Sequence, residues 1–172
     1  PNGLLTIEAE AFLQCTSLQE VVIPNGVVKI GASAFCTCIE LLGIKIPESV
    51  VDIGQSAFVY CYSLNAIKLP SKVKRLETNM FYSCVRLQSV ILPKNLERIE
   101  NWAFAGFAMT NIEIPFSVDY IGSCSFRECP ELQSVKIPVN VTYIGEGAFM
   151  HCPRLKDVRL PKHLEFCIKK AF

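Results

Sequence analysis

The sequence lacks the features that mark most enzymes, membrane proteins and nucleic-acid-binding proteins. Its 172 residues include only two histidines, and no Gly-x-Ser-x-Gly, P-loop or His-Glu-x-x-His motif occurs. Its apolar runs are only a few residues long, which argues against a membrane-spanning helix. The net charge of +1, from 17 basic and 16 acidic residues, does not indicate nucleic acid as a partner. We therefore expect no enzyme, no cofactor, no metal site, no nucleic-acid binding and no membrane insertion in this segment.

The chain also lacks an initiator methionine and the pattern of a signal peptide. It begins at Pro1, on a repeat boundary, and stops at Phe172, in the middle of a repeat. These features favour a fragment of a longer protein.

A repeat of 23 residues, once shortened to 22, runs through the whole chain. The recurring prolines are Pro24, Pro47, Pro70, Pro93, Pro115, Pro138 and Pro161. The recurring phenylalanines are Phe12, Phe35, Phe58, Phe81, Phe104, Phe126, Phe149 and Phe172. The sequence thus predicts a single repeat solenoid over 1–172. Its units, numbered one to eight, are 1–23, 24–46, 47–69, 70–92, 93–114, 115–137, 138–160 and the partial 161–172.

The sequence pattern of each unit predicts two short strands and little helix. A segment Leu-x-x-Val-x-Ile, such as Leu18 to Ile23, alternates apolar and polar residues at its end and is closed by a proline, which cannot donate to a sheet. A second apolar pair, such as Val27 with Ile30, predicts another short strand. Units of this size bury an apolar face only by stacking, so we expect parallel coils with ladders of equivalent core residues.

The full pattern, I-P-x-x-V-x-x-I-G-x-x-A-F-x-x-C-x-x-L-x-x-V-x-I, resembles the BspA-like, or Treponema-type, leucine-rich repeats. It is clearest in Ile46 to Leu69 and Ile137 to Leu160. The asparagine ladder of ordinary leucine-rich repeats is missing. The nearest slot holds Gly26, Ser49, Lys72, Asn95, Ser117, Asn140 and His163. The resemblance implies a non-enzymatic cell-surface or secreted protein that adheres to an extracellular matrix or plasma protein.

Cysteines and glycines occupy fixed slots of the repeat. Six cysteines share one slot, which predicts a ladder of buried free thiols; Phe107 fills that slot in the 22-residue unit, and Met109 fills its leucine slot. Cys167 takes an isoleucine slot and is expected in the core. The slot of Gly31 and Gly54 holds Glu77 and Glu100 in other units, so a side chain is expected to be tolerated there. The six cysteines are Cys15, Cys38, Cys61, Cys84, Cys129 and Cys152.

Two ladders of outward residues are candidate binding surfaces. On the first sheet face the candidates are Lys45, Lys68, Ile91, Lys136 and Arg159, a mildly basic strip for an acidic protein or a glycan. The alternative is that these residues only keep the face soluble. A second ladder supplies Arg75, Arg98, Tyr120 and Tyr143, with a cation–π contact expected between Arg98 and Tyr120. The favoured alternative for this ladder is lateral stabilisation of the stack.

A third group places aromatic residues in turn slots that are otherwise mostly polar. It is either a contact site or, as the sequence favours, packing around the irregular 22-residue unit. Its members are Tyr60, Tyr62, Tyr82 and Trp102.

The preferred interpretation is a recognition module that binds a protein or glycan through the sheet face. Two alternatives stay open: a structural spacer that presents another domain, and an intracellular scaffold for protein interactions. Because open solenoid ends expose core, the sequence also favours neighbouring repeats or end-to-end self-association.

Overall fold

The computed structural model describes residues 3–172, and within that range it contains fifteen short strands and no helix. The predicted start of the first unit, Pro1, lies outside the described residues. The strands are β1 Thr6–Ile7, β2 Glu20–Val22, β3 Lys29–Ile30, β4 Gly43–Lys45, β5 Asp52–Ile53, β6 Ala66–Lys68, β7 Arg75–Leu76, β8 Ser89–Ile91, β9 Arg98–Ile99, β10 Asn111–Glu113, β11 Tyr120–Ile121, β12 Ser134–Lys136, β13 Tyr143–Ile144, β14 Asp157–Arg159 and β15 Phe166–Cys167.

The strands stack in parallel, one unit on the next, which confirms the predicted solenoid. Val21 pairs with Ile44, and Ile7 pairs with Ile30, each one repeat length along the chain. The even-numbered strands form a long-strand face in two sheets, β2-β4-β6-β8 and β10-β12-β14. The odd-numbered strands form a short-strand face in two sheets, β1-β3-β5 and β7-β9-β11-β13-β15.

Proline begins a tight turn between the long strand of one unit and the short strand of the next. The carbonyl of Pro47 accepts a hydrogen bond from the Val50 N–H at 3.1 Å, and Pro138 and Val141 repeat the contact at 3.1 Å. The turn buries the valine while the proline, without an N–H, ends the long strand. This geometry explains the spacing Pro-x-x-Val that recurs through the chain.

A ladder of phenylalanine rings forms the centre of the core. All eight rings from Phe12 to Phe172 stack in order, with neighbouring centroids 5.0–5.6 Å apart. The six rings from Phe35 to Phe149 are buried, whereas the two end rings have no neighbour on one side and stay partly exposed. The stacked rings contribute favourable free energy beyond that of the apolar area each unit buries against the next.

The long-strand face is interrupted between β8 and β10, at the 22-residue unit. This unit lacks one residue before Met109, which fills the leucine slot and is buried as predicted. Phe107 occupies the cysteine slot, fully buried, with its ring 5.0 Å from that of Phe104. β10 does not pair with β8 at this unit, where the connection is shorter and the core side chain larger, although Phe81 and Phe104 below them remain stacked.

The short-strand face is interrupted one unit earlier, between β5 and β7. Here Glu77 replaces the glycine of the repeat, and a cavity of about 150 Å³ lies between the strands. Burial, reinforced by the neighbouring Glu100, raises the pKa of the Glu77 carboxyl. Glu100 fills the same slot in the next unit, where β7 and β9 stay paired.

The remaining glycines of this slot allow close approach of the coils, which corrects the expectation that a side chain is tolerated there. A Cβ added to Gly54 would lie 2.5 Å from the Ala32 backbone nitrogen, and one added to Gly145 would lie 2.4 Å from the Ser123 nitrogen. Side chains fit this slot at the glutamates but not at these glycines. Backbone contact, not the φ angle, requires glycine.

The cysteine ladder contributes hydrogen bonds as well as packing. Each thiol from Cys38 onward in the shared slot donates to the carbonyl of the phenylalanine in the preceding unit, over 3.0–3.4 Å. Burial raises the pKa of Cys38 to about 11 and that of Cys84 to about 12. These thiols are therefore neutral donors in the fold.

Position along the stack decides which cysteines are buried. Cys38, Cys61, Cys84 and Cys129 are buried as predicted, whereas Cys152 is half-buried and Cys15 is exposed. Cys167, which the sequence placed in the core, is exposed because it lies on the end strand β15. An apolar slot buries its residue only where coils lie on both sides.

We predict that Gly54→Ala destabilises the fold by about 1–3 kcal/mol, the usual cost of overpacking. The added methyl group meets backbone atoms that cannot rotate away. Gly43→Ala is the matched control, since its Cβ would meet nothing within 4 Å. Urea unfolding monitored by circular dichroism measures both variants, and equal stabilities would contradict the close-contact explanation.

We predict that stability falls as pH rises above 9, the ordinary thiol pKa. A thiol whose pKa is raised by folding keeps its proton in the native state while the unfolded chain loses it. Each buried thiol therefore contributes about 1.4 kcal/mol of destabilisation per pH unit until its folded pKa is reached. Urea unfolding between pH 9 and pH 11 should give a smaller slope for Cys84→Ala than for the parent. Identical slopes would show that Cys84 titrates normally.

Candidate functional site

The long-strand face presents the predicted outward ladder to solvent. Its third strand residues are exposed, and adjacent ones lie in register: Val22 opposite Lys45, Lys68 opposite Ile91, and Lys136 opposite both Glu113 and Arg159. The interruption between β8 and β10 divides them into two groups. All five sheet-face candidates are exposed, but Arg159 and Lys136 lie on a different sheet from Lys45 and Lys68.

Lys68 is held by an acidic neighbour that sequence reasoning missed. Its Nζ lies 2.9 Å from Glu48 Oε1, and the Ser71 backbone N–H donates to Glu48 Oε2 over 2.8 Å. The Ser71 N–H and Lys68 together lower the pKa of the Glu48 carboxyl to about 2. Glu48 is therefore ionised at neutral pH, and it offsets one of the two like charges that the sequence places side by side.

The remaining cations of the face differ in how far they are compensated. Arg159 Nε lies 3.8 Å from Asp157 Oδ1. Within residues 3–172, Lys45 and Lys136 make no ion pair. The face therefore presents two positive charges that are outside ion-pair contact with any acidic group, with Glu113 opposite one of them, rather than a continuous basic strip.

Small residues open a shallow groove between Lys45 and Lys68. Gly43 and Ala66 are paired on neighbouring strands, and their short side chains leave a concavity of about 750 Å³. Val22, Glu48 and the two lysines stand at its borders. This groove combines an apolar floor with charged walls.

A second concave region follows the interruption of the face, and it has an apolar surface. Ile91 and Phe116 line a groove of about 530 Å³, and Phe116 and Val139 line an adjoining one of about 300 Å³. Ile91 is 57% exposed, Phe116 66% and Val139 58%. We call the surface lined by these three side chains the apolar groove. Glu113 and Lys136 border it.

Phe116 and Val139 were missed, although the repeat contains a signal for them. Both occupy the slot directly after the recurring proline. Other units carry polar residues in that slot, namely Asn25, Glu48, Ser71, Lys94 and Lys162. Apolar residues in this exposed, otherwise polar slot of two successive units indicate a surface patch.

The second predicted ladder forms a continuous stack on the short-strand face. The guanidinium carbon of Arg98 lies 3.7 Å from the centroid of the Tyr120 ring, which confirms the expected cation–π contact. Tyr120 and Tyr143 stack at 4.8 Å with a 5° angle, and Arg98 Nε donates to Glu100 over 2.7 Å. Arg75 is exposed beside Arg98. The contacting ring faces point along the stack, which favours lateral stabilisation over binding.

Between residues 3 and 172, no group of three or more histidine, cysteine or acidic side chains is arranged to hold a metal ion. Nor does any helix there have the length and apolarity to span a membrane.

Comparison with known families gives one match over the whole chain. A model described as a BspA type leucine-rich repeat region matches residues 1–108 and 97–172, in six copies. A comparison with curated proteins finds no significant match.

Several solved bacterial structures have the same fold. A leucine-rich repeat protein from Bacteroides ovatus is 35% identical over 85% of this chain, with a TM-score of 0.82. The leucine-rich repeat protein of T. pallidum is 32% identical over 94%, with a TM-score of 0.62. A leucine-rich cell surface protein from Faecalibacterium prausnitzii is 25% identical over 93%, with a TM-score of 0.60. The chain spans 40%, 67% and 65% of these three proteins, respectively.

Proposed function

Because the chain belongs to the family of BspA-type leucine-rich repeat proteins, whose fold is a protein-interaction scaffold, we propose that it is a recognition module that binds a partner protein through its long-strand face. The observation that carries this proposal is the apolar groove. Three large apolar side chains are more than half exposed in two adjoining grooves of this face, and Phe116 lines both grooves. Such a patch lowers the solubility of the protein unless a partner covers it.

The partner's chemistry follows from the groove and its surroundings. An exposed apolar or aromatic side chain of the partner would pack beside Phe116. Contacts that are fully removed from water near the centre of an interface contribute most of the binding energy. Lys45 and Lys136 would attract acidic groups and accelerate association at low salt. Ile91, Lys68 and Arg159 extend the contact area along the face. Arg75, Arg98, Tyr120 and Tyr143 are the secondary candidate surface, although their contacts with one another favour a stabilising role.

We further propose that the protein acts at the cell surface or after secretion and binds an extracellular matrix or plasma protein, or a glycan on it. The related protein of Faecalibacterium prausnitzii, described as a cell surface protein, supports this location. The apolar end of the stack, a concavity of about 850 Å³ lined by Phe149, Leu155 and Phe172, supports end-to-end contact with another repeat or a second copy.

An intracellular scaffold is the second candidate function. All nine cysteines, which lie within residues 3–172, are free. Free thiols persist in reducing compartments. The first test is therefore a pull-down by the folded chain from a matrix-and-plasma protein mixture and, separately, from a cell lysate. A partner found only in the lysate would favour the scaffold, and no saturable partner in either would favour a spacer.

We predict that Phe116→Ser weakens binding of the captured partner by at least about tenfold, as expected for a buried anchor contact. Serine occupies the same slot at Ser71, so the fold should accept it. The matched control is Val22→Thr, which removes an apolar side chain that is 85% exposed at the far end of the face. Titration calorimetry compares the affinities. Equal effects of the two variants would contradict a centre of binding at the apolar groove.

We predict that Lys45→Gln weakens binding more than Lys68→Gln does. Lys45 has no acidic neighbour in ion-pair range, whereas Glu48 already neutralises Lys68. The expected loss for Lys45→Gln is about threefold at low salt and smaller at high salt, because screening removes the attraction. Surface plasmon resonance at two salt concentrations measures it. A larger loss at Lys68 would show that the partner displaces Glu48.

A further inference from the structure

The break between β5 and β7 is a gap in the contact between units three and four. Elsewhere on the short-strand face, the residues that flank each strand donate their N–H groups to the preceding unit. Glu100, for example, donates to the Leu76 carbonyl over 2.9 Å. Within residues 3–172, the equivalent N–H groups of Lys74 and Glu77 make no such bond. The two coils are therefore separated on this face, and two main-chain donors are left without their usual acceptors.

The same two units remain in contact on their other sides. The rings of Phe58 and Phe81 stack at 5.5 Å in the core, and the Phe58 N–H donates to the Met80 carbonyl over 3.0 Å in the turn. On the long-strand face, β6 and β8 pair over three residues. Because only one side is open, a change in the width of the gap would tilt units one to three against the rest of the stack.

Glu77 and Glu100 occupy the same slot in adjacent units, but their carboxylates differ in their partners. Arg98 Nε lies 2.7 Å from Glu100 Oε1, and the strands beside Glu100 are paired, so the backbone accommodates a glutamate in this slot. In the described part of the chain, Glu77 takes part in no ion pair. Charge compensation, and not side-chain size, is therefore the difference that accompanies the gap.

The gap contains a polar cavity of about 150 Å³, which is more than one water molecule needs. A half-buried carboxylate that has no counter-ion keeps its charge only if water solvates it. The open gap gives water access to Glu77, and closing it would remove that access. The residues that line the cavity are Val51, Asp52, Ile53, Val73, Lys74, Arg75 and Glu77.

Charged groups of both signs face Glu77. They are Asp52 of β5, Lys74 and Arg75 at β7, and Arg98 and Glu100 at β9. Two of them have partners of their own, since Asp52 pairs with Lys29 and Lys74 pairs with Glu97. Burial, followed by the neighbouring Glu100, raises the pKa of the Glu77 carboxyl above its ordinary value of 4.5, although Arg75 and Arg98 oppose the rise. Glu77 therefore begins to take up a proton above pH 4.5.

We propose that the gap between β5 and β7 is a pH-sensitive hinge, which ionised Glu77 holds open and neutral Glu77 allows to close. Protonation removes the charge that requires solvation. The N–H groups of Lys74 and Glu77 then donate to the carbonyls of Val51 and Ile53, as the equivalent groups do in the other units, and units one to three tilt against the rest. This device goes beyond the binding function proposed for the long-strand face and does not depend on it.

The test follows hydrogen–deuterium exchange of single amides by NMR, in the intact chain, between pH 7 and pH 4.5. The amides of Lys74 and Glu77 report on the gap, and the hydrogen-bonded amides of Gly54 and Glu100 are internal controls. Protection factors remove the intrinsic pH dependence of exchange. We expect those of Lys74 and Glu77 to rise by at least about tenfold at the lower pH, while the control amides stay protected throughout.

Four variants assign the response to Glu77. Glu77→Gln removes the charge with little change in size and should protect both gap amides already at pH 7. Glu77→Gly introduces the residue that other units carry and should do the same, which keeps the test available if the glutamine variant fails to fold. Glu100→Gln should move the rise to lower pH, because Glu100 raises the pKa of Glu77. Arg75→Gln should move it to higher pH, because Arg75 lowers that pKa.

The proposal is overturned if the parent shows no rise, if its gap amides are already protected at pH 7, or if Glu77→Gln shows the same rise. Unprotected gap amides in both Glu77 variants at pH 7 would also overturn it, since charge would then not hold the gap open. If the control amides lose protection at pH 4.5, the chain unfolds there, and the two Glu77 variants at pH 7 decide alone. Phe116→Ser should leave the exchange unchanged, so failure of the long-strand-face proposal is distinguishable from failure of this one.

Discussion

The rest of the structure depends on the fixed spacing at which each unit stacks on the next. Phenylalanine rings at 5.0–5.6 Å, backbone hydrogen bonds between coils and thiol-to-carbonyl bonds all require the same register. No unit is stable alone, since its apolar face is covered only by its neighbours. The glycines beside the short strands are part of this constraint, because a Cβ there would hold two backbones apart.

Departures from the spacing create the distinctive surfaces of the molecule. In unit five, a missing residue and the large ring of Phe107 separate β8 from β10, while the core beneath remains stacked. The apolar groove, which Phe116 lines, lies at that separation. The aromatic group of Tyr60, Tyr62, Tyr82 and Trp102 spans units three to five and so overlaps the same irregular region. A regular stack presents equivalent slots, and local exceptions give individual surfaces that differ from the rest of the stack.

Charge and aromatic ladders show how far a repeat pattern predicts contacts. The cation–π pair of Arg98 and Tyr120 was predictable because both occupy one slot in consecutive units. The pairing of Lys68 with Glu48 was not, since it joins different slots of adjacent units through a turn whose path the pattern does not give. The exposure of Phe116 was predictable, because the slot directly after the recurring proline is polar in most other units.

The sequence by itself determined the solenoid, the position of both strands in each unit, the phenylalanine core and the free thiols, because every unit obeys one periodic rule. Only the tertiary structure decided where that rule fails. The exposure of Cys167 follows from its place on the last strand. The breaks between sheets lie beside Glu77 and Phe107, although Glu100, in the same slot as Glu77, leaves β7 and β9 paired. Burial and pairing in a stack depend on the adjacent coils, which lie a whole repeat away in the chain.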